Sequence, residues 1–177
     1  MRKIIYYVAM SIDGFIMDFH GNMEKFVTGG SGLEQYQNDL KSFDTVIMGR
    51  KTYEFGYEYG LEPGRAAYPH MKHYIFSSTL KFESLDEAVE ICEIDLAAVK
   101  RIRSDPGTDI YLCGGGEFAG WLLENEQIGV LKIKLNPLIL GNGIKLFGNS
   151  KKEVKTKLIS GREYDHGLQI IEYDVIY

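Results

Sequence analysis

Three short stretches of the chain combine small residues, hydroxyls and cations in the way phosphate binding requires. The sharpest is Tyr111-Leu112-Cys113-Gly114-Gly115-Gly116-Glu117-Phe118-Ala119-Gly120, an apolar run entering a glycine-rich helix start. A helix N-terminus presents unpaired N–H groups and a partial positive charge, and absent side chains let a pyrophosphate approach the backbone. The alternative is a tight strand-to-helix turn that uses glycine only for its dihedral angles. The second stretch is Val46-Ile47-Met48-Gly49-Arg50-Lys51-Thr52-Tyr53-Glu54. Gly49 permits close approach, Thr52 can donate to a phosphate oxygen, and Arg50 can grip one with two hydrogen bonds. Cations at a helix start oppose the macrodipole, so a bound anion accounts for a placement that is otherwise mildly unfavourable. The third, Ile75-Phe76-Ser77-Ser78, ends in two hydroxyls. By itself it is a strand stop; its meaning comes from company, because ligands of open α/β sheets gather outside the carboxyl ends of strands.

Gly114-x-Gly116-x-x-Ala119 also satisfies the glycine spacing of a Rossmann unit. That unit needs an acidic residue about 20 positions later to hold a ribose. Val130–Leu135 supplies Lys132 and Lys134 instead, and the motif lies late in the chain, so the standard Rossmann reading is rejected. Cys92 and Cys113 are too far apart for a metal or disulfide motif, and His20, His70, His73 and His166 lack ligand spacing.

The elements that must position these groups read as alternating strands and helices. Lys3–Met10 is a buried strand, followed by a long glycine-punctuated loop over Ser11–Gly32. Leu33–Phe43 carries a helical stripe, Thr45–Met48 is a strand, and Gly49–Tyr57 opens a helix. His73–Phe76 and Ala88–Ile94 read as strands, and Asp95–Arg103 as a helix with Asp95 as N-cap. Ile110–Cys113 enters the glycine turn, with a helix through Leu123. The remainder, Val130–Leu135, Val154–Ile159 and Leu168–Ile176, is β-rich. The pattern predicts an α/β sheet that is parallel early and antiparallel at its C-terminal side. The apolar C-terminal strand Ile170–Tyr177 would leave an edge exposed in a monomer, so a homodimer is expected.

With 177 residues, 45% hydrophobic and 25% charged, the chain fits one globular domain. A net charge of −5 with mixed signs argues against nucleic acid, and Lys151, Lys152, Lys155 and Lys157, interrupted by Glu153, read as a solvated edge. No apolar run approaches the roughly 20 residues of a membrane span. The stretch Ile4–Met10 is broken at Ser11 and Asp13, too short for a signal peptide, so a cytoplasmic location is expected.

Together, Val8-Ala9-Met10-Ser11-Ile12-Asp13-Gly14-Phe15-Ile16, Met48–Glu54, Ser77-Ser78, the Gly114–Gly116 turn and Pro137-Leu138-Ile139-Leu140-Gly141-Asn142-Gly143 with Leu146-Phe147 resemble the dihydrofolate reductase-like superfamily. The branch is similar to the reductase domain of bifunctional riboflavin-biosynthesis proteins. The resemblance implies a single three-layer α/β/α domain with a mostly parallel mixed sheet and an antiparallel C-terminal strand. It implies NADPH, with the backbone of Ala9 and Ile16 at the nicotinamide. Gly49, Arg50, Lys51, Thr52 and the turn Gly114, Gly115, Gly116, Glu117 and Phe118 would hold the pyrophosphate. Arg50, Ser77 and Ser78 would lie near the 2′-phosphate, and the Gly114–Gly115 peptide is expected to be cis. The implied activity is hydride transfer to a small heteroaromatic or carbonyl substrate, pterin- or pyrimidinone-like. The alternative is a non-catalytic NADP(H)-binding sensor or assembly protein. Where dihydrofolate reductases keep a pterin-binding carboxylate this chain has Leu33, with Glu34 one place away. The lysine and glutamate positions of the riboflavin branch fall on Tyr7 and Cys113. Asp13 and Glu34 remain as candidate catalytic acids.

Overall fold

A computed structural model describes all 177 residues. The chain runs β1 (Ile4–Ser11), β2 (Phe15–Asp18), α1 (Ser31–Leu40), β3 (Thr45–Gly49) and α2 (Arg50–Phe55), which passes into a 3₁₀ turn over Gly56–Tyr59. Next come β4 (Lys72–Phe76), β5 (Val89–Cys92), α3 (Leu96–Ser104), β6 (Ile110–Gly114) and α4 (Gly116–Glu124). The chain ends with β7 (Ile128–Asn136), β8 (Gly143–Lys145), β9 (Lys155–Glu163) and β10 (Gln169–Ile176). Eight strands form one sheet in the order β5-β4-β3-β6-β1-β7-β10-β9. The first six are parallel; β10 runs antiparallel to both β7 and β9.

Both faces of this sheet are covered, which is why its central strands read as continuous apolar runs. Ile4, Tyr6, Val8, Ile110 and Leu112 pack on one face against Val99 and Ile102 of α3 and Phe118, Ala119, Leu122 and Leu123 of α4. Tyr7, Val46, Met48 and Tyr111 pack on the other against Leu40 of α1 and Tyr53 of α2. The result is the expected three-layer arrangement. At the start of α3 the Asp95 carboxylate accepts from the Ala97 N–H at 2.9 Å, the cap read from the sequence.

Three elements differ from expectation. The Ser11–Gly32 loop contains β2, which pairs antiparallel with β8 in a separate two-stranded sheet. A four-residue strand with a partner near the far end of the chain leaves no local periodicity to read. The second helix stops at Phe55 rather than Tyr57, where Gly56 meets the Leu61 side chain. The third is a correction to the edge argument: β10 is interior, flanked by β7 and β9, and the free edge belongs to β9, all nine of whose residues are exposed.

Gly120 faces the Lys145–Ser150 segment so closely that an added Cβ would collide with the Phe147 carbonyl oxygen. Gly29 by contrast has nothing within 4 Å of that position. Gly120→Ala is expected to destabilise the protein by about 1–3 kcal/mol in urea unfolding, despite alanine's better helix propensity, whereas Gly29→Ala changes stability little.

Candidate functional site

The carboxyl ends of the adjacent strands β3, β6 and β1 meet at one end of the sheet. Strand β1 pairs with β6 only over Ile4–Tyr6 and then continues to Ser11 against β7 alone. Beyond Tyr6, one edge of β1 therefore opens toward the end of β6, bringing Ala9 to the same crevice as the glycine turn. There the Gly114–Gly115 peptide is cis, as expected, and Gly114 has φ 141°, a conformation L side chains rarely adopt.

Thr52 of α2 sits directly on this turn. A Cβ on Gly115 would stand 3.0 Å from Thr52 Oγ1, and one on Gly114 3.7 Å away. The Thr52 hydroxyl has no side-chain partner within the chain, so glycine backbone and a free donor face each other as a phosphate cradle requires. Gly49 is close-packed against Phe118, its added Cβ falling 3.2 Å from that of Phe118. Phe118 stacks between Phe76 and Trp121, with centroids 4.6 and 6.0 Å away, so its side chain belongs to the core and only its backbone can serve a ligand. Gly116 also proves to be a packing glycine: a side chain there would strike the Lys145 carbonyl oxygen.

The cations beside the cradle are paired. Arg50 contacts Glu54 at 2.7 Å and Lys51 contacts Glu117 at 3.2 Å, the latter pair highly exposed. Such solvated pairs contribute little, so exchanging a carboxylate for a phosphate is cheap. Ser77 is buried, and its hydroxyl oxygen accepts the N–H groups of Thr79 and Leu80 at 3.1 and 2.9 Å, which closes its own turn. Ser78 is exposed and unengaged. The arrangement thus fits a dinucleotide phosphate group, which Thr52, Arg50, Lys51 and the turn would hold. Ile16, on β2, is buried in the core.

Neither candidate acid bonds to a residue of the cradle. Asp13 accepts from the Ser11 hydroxyl at 2.7 Å and from the N–H groups of Leu140 and Gly141 at 3.1 and 2.7 Å. The Ser11 bond above all holds its carboxyl below the usual range, so Asp13 stays anionic and ties the β1–β2 turn to the loop after β7. Glu34 is exposed in the first turn of α1 and bonds to no residue of the cradle.

Sequence reasoning missed a polar cluster on the sheet face covered by α1. Tyr36 and Tyr111 share a hydroxyl hydrogen bond of 2.7 Å, and the Tyr68 hydroxyl lies 3.7 Å from Cys113 Sγ. Lys134 Nζ stands over the Tyr36 ring, 3.4 Å from its centroid. Lys132 Nζ lies 4.8 Å from the Tyr7 ring centroid and pairs with Asp39 at 2.9 Å and Glu172 at 3.7 Å. Burial raises the Tyr36, Tyr111 and Cys113 groups above their ordinary values, and the neighbouring Cys113 and then burial do the same for Tyr68. Two lysines alternating on an otherwise apolar strand were the available signal. A depression of about 560 Å³ among Lys3, Arg103, Glu126, Lys157 and Asp174 lies at the opposite end of the strands, away from these groups.

Fold and cradle together define an α/β domain of the dihydrofolate reductase-like kind, with its phosphate-compatible turns at the carboxyl end of the sheet. The chain belongs to the RibD C-terminal domain family, whose profile matches residues 2–170. It is 28% identical over 174 residues to the protein YwjB of Bacillus subtilis strain 168, covering 96% of each chain. A riboflavin biosynthesis protein from Shewanella sp. PV-4, described as putative in its crystal structure, superposes with a TM-score of 0.81 at 19% identity over 100% of both chains. A deaminase/5-amino-6-(5-phosphoribosylamino)uracil reductase of Thermotoga maritima superposes with a TM-score of 0.71 at 15% identity, over 98% of this chain and 57% of that one. No helix of the chain is long and apolar enough to cross a membrane.

Cys92 and Cys113 are both free, and burial pushes the Cys92 thiol up to about 11 and Cys113 above its ordinary value. The thiolate is the reactive form. Native protein at pH about 8 is therefore expected to resist iodoacetamide at both positions, and urea-unfolded protein to alkylate at both, read by intact mass. Rapid native labelling of Cys113 would contradict its placement.

Proposed function

We propose that the chain is an NADPH-dependent reductase acting on a small planar substrate. The observation that carries this reading is the cradle, in which the Thr52 hydroxyl faces the Gly114–Gly115 backbone with Arg50 and Lys51 alongside. The bound cofactor would supply the hydride; the protein would orient it and shape the substrate site. The pyrophosphate would rest on the turn and Thr52, while Arg50 and the open Ser78 would meet the adenosine 2′-phosphate. The nicotinamide would lie along the freed edge of β1 at Ala9, with Ile16 on the neighbouring β2. The named activity of the Thermotoga structure supports a reductase, as does the phosphate chemistry of three neighbouring strand ends. A second reading, a non-catalytic NADP(H)-binding protein, is favoured by the disposition of Asp13 and Glu34, and oxidation of NADPH across a panel of pterins, pyrimidinones and carbonyl compounds separates the two.

A charge-assisted contact to the 2′-phosphate contributes about 1.5–3 kcal/mol, so NADPH is expected to bind at least about tenfold tighter than NADH by calorimetry. Arg50→Ala should weaken NADPH binding more than NADH binding and so remove most of that preference. Equal affinities in the unaltered protein would defeat the assignment.

The homodimer expectation now moves to β9. Its residues are all exposed, Leu158 and Ile159 among them, and only one of its edges is paired. We propose that it pairs with β9 of a second copy. An antiparallel pairing centred on Ile159 would set Lys155 opposite Glu163, joining unlike charges across the symmetry axis. Light scattering should give twice the chain mass of 20.1 kDa, and Ile159→Pro should return it to the monomer. A concentration-independent monomer in the unaltered protein would refute the pairing.

A further inference from the structure

The cofactor reading leaves unused a lysine whose surroundings do not account for it. Lys134 is the register partner of Ala9 on β7, so it stands one strand across from the freed edge of β1 that the proposed function assigns to the nicotinamide. Its ammonium rests on the Tyr36 ring but has no hydrogen-bond acceptor and no ion-pair partner. The carboxylates of this face are already engaged: Asp39 accepts from Tyr7, Gln35 and Lys132, and Glu172 pairs with Lys132. Every fully buried polar side-chain atom of the chain has a partner. A partnerless Nζ on a half-buried side chain therefore retains access to an opening. Around it stand the hydroxyls of Tyr36, Tyr68 and Tyr111 and the Cys113 thiol. Lys134 together with these groups offers an ammonium, phenols and a thiol, and no free carboxylate.

Resting on the proposed reductase function, we propose that Lys134 is the acid of the reaction and that the substrate is a planar carbonyl compound whose oxygen accepts from its ammonium. A ring that presents amidine or guanidine N–H groups, as a pterin does, would meet donors where it needs an acceptor. A bound reduced nicotinamide would supply the hydride taken up at the carbonyl carbon; as the C=O π pair moved onto oxygen, that oxygen would take a proton from Lys134. The carbonyl would become an alcohol with oxidation of the nicotinamide to balance it, and neutral Lys134 would regain its proton from water. Burial pushes the Lys134 ammonium down to about 8, the range in which a lysine can release a proton near neutral pH. The charged and titratable groups facing it are Tyr7 from β1, Tyr36 and Asp39 from α1, Tyr68 from the loop before β4, Tyr111 and Cys113 from β6, Lys132 from β7 and Glu172 from β10. The phenols and the thiol are held above their ordinary values, so they keep their protons where the Lys134 ammonium titrates.

The test uses calorimetry with two probes, the planar dicarbonyl isatin-5-sulfonate and the donor-bearing 2,4-diaminopyrimidine, on the protein alone and on protein saturated with NADP⁺. Isatin-5-sulfonate is expected to bind and 2,4-diaminopyrimidine not to, with affinity for the dicarbonyl falling as pH rises through about 8. Lys134→Met should weaken dicarbonyl binding about tenfold, the scale of one charge-assisted hydrogen bond, with NADPH affinity and the far-UV spectrum unchanged. Lys134→Arg should restore binding but not the turnover of the dicarbonyl with NADPH, because arginine keeps its proton. Tighter binding of 2,4-diaminopyrimidine, no binding of the dicarbonyl, or a Lys134→Met protein that binds it within about twofold of the original would overturn the proposal. If the unaltered protein fails to bind NADPH, the cofactor assignment falls instead, and dicarbonyl binding to the protein alone still reports on Lys134.

Discussion

A side chain at Gly116 would run into the Lys145 carbonyl oxygen, and one at Gly120 into that of Phe147; this close approach of backbone to backbone at the start of α4 is the constraint on which the rest of the site depends. Because α4 begins where β6 ends, the approach fixes the glycine turn against the loop that follows β8. Thr52 then lies on Gly115, and Phe118 on Gly49, so the ends of β3 and β6 are registered to within one side chain. Interiors are close-packed and transmit such shifts, so the cradle's geometry is set by the packing around α4 as much as by its own residues.

Two electrical environments meet across this crevice. Beside the glycine turn, Arg50–Glu54 and Lys51–Glu117 are solvent-accessible ion pairs that can be exchanged at low cost. On the tyrosine side, the groups are largely buried, and their interactions with one another are stronger because water screens them less. A net charge of −5 says nothing of either, because the pattern that matters lies in which cations have carboxylate partners. Lys132 has two such partners and Lys134, two residues along the same strand, has none.

The strand–glycine–helix turns at the ends of β3 and β6 were legible in the sequence because each of their parts is local. A buried strand, a glycine and a helix start occur within a few residues in Ile110–Gly116 and again in Thr45–Thr52, so the motif and the element that aims it are read together. What stayed hidden was assembled at long range. Tyr36, Tyr68, Cys113 and Lys134 come from four separate segments, and no periodicity links them. The β2–β8 pair failed for the same reason, and so did the identity of the edge strand, since the apolar pattern of Gln169–Ile176 describes an interior strand and an edge strand equally well. Gly116 was legible as a glycine but not in its purpose, because the Lys145 carbonyl that demands it lies in another part of the chain.

The sign of the Lys134 shift shows what the fold gives up to keep that residue. Burial lowers it from 10.5 to about 8, so between those values the unfolded chain binds more protons than the native one and stability rises with pH. Below that window the native state holds a half-buried ammonium without a counter-ion, a net cost to folding at neutral pH. An apolar residue of similar length would fill the same space over the Tyr36 ring without that cost. Most of the core of this sheet is apolar, and the polar residues that are buried there, such as Thr45, His73 and Asn136, have hydrogen-bond partners. The unpaired cation thus stands across β1 from the edge that has parted from β6, on the β7 strand that pairs with Ala9. An unpaired charge held at a cost one strand away from an open edge is better explained by what binds there than by anything it does for the fold.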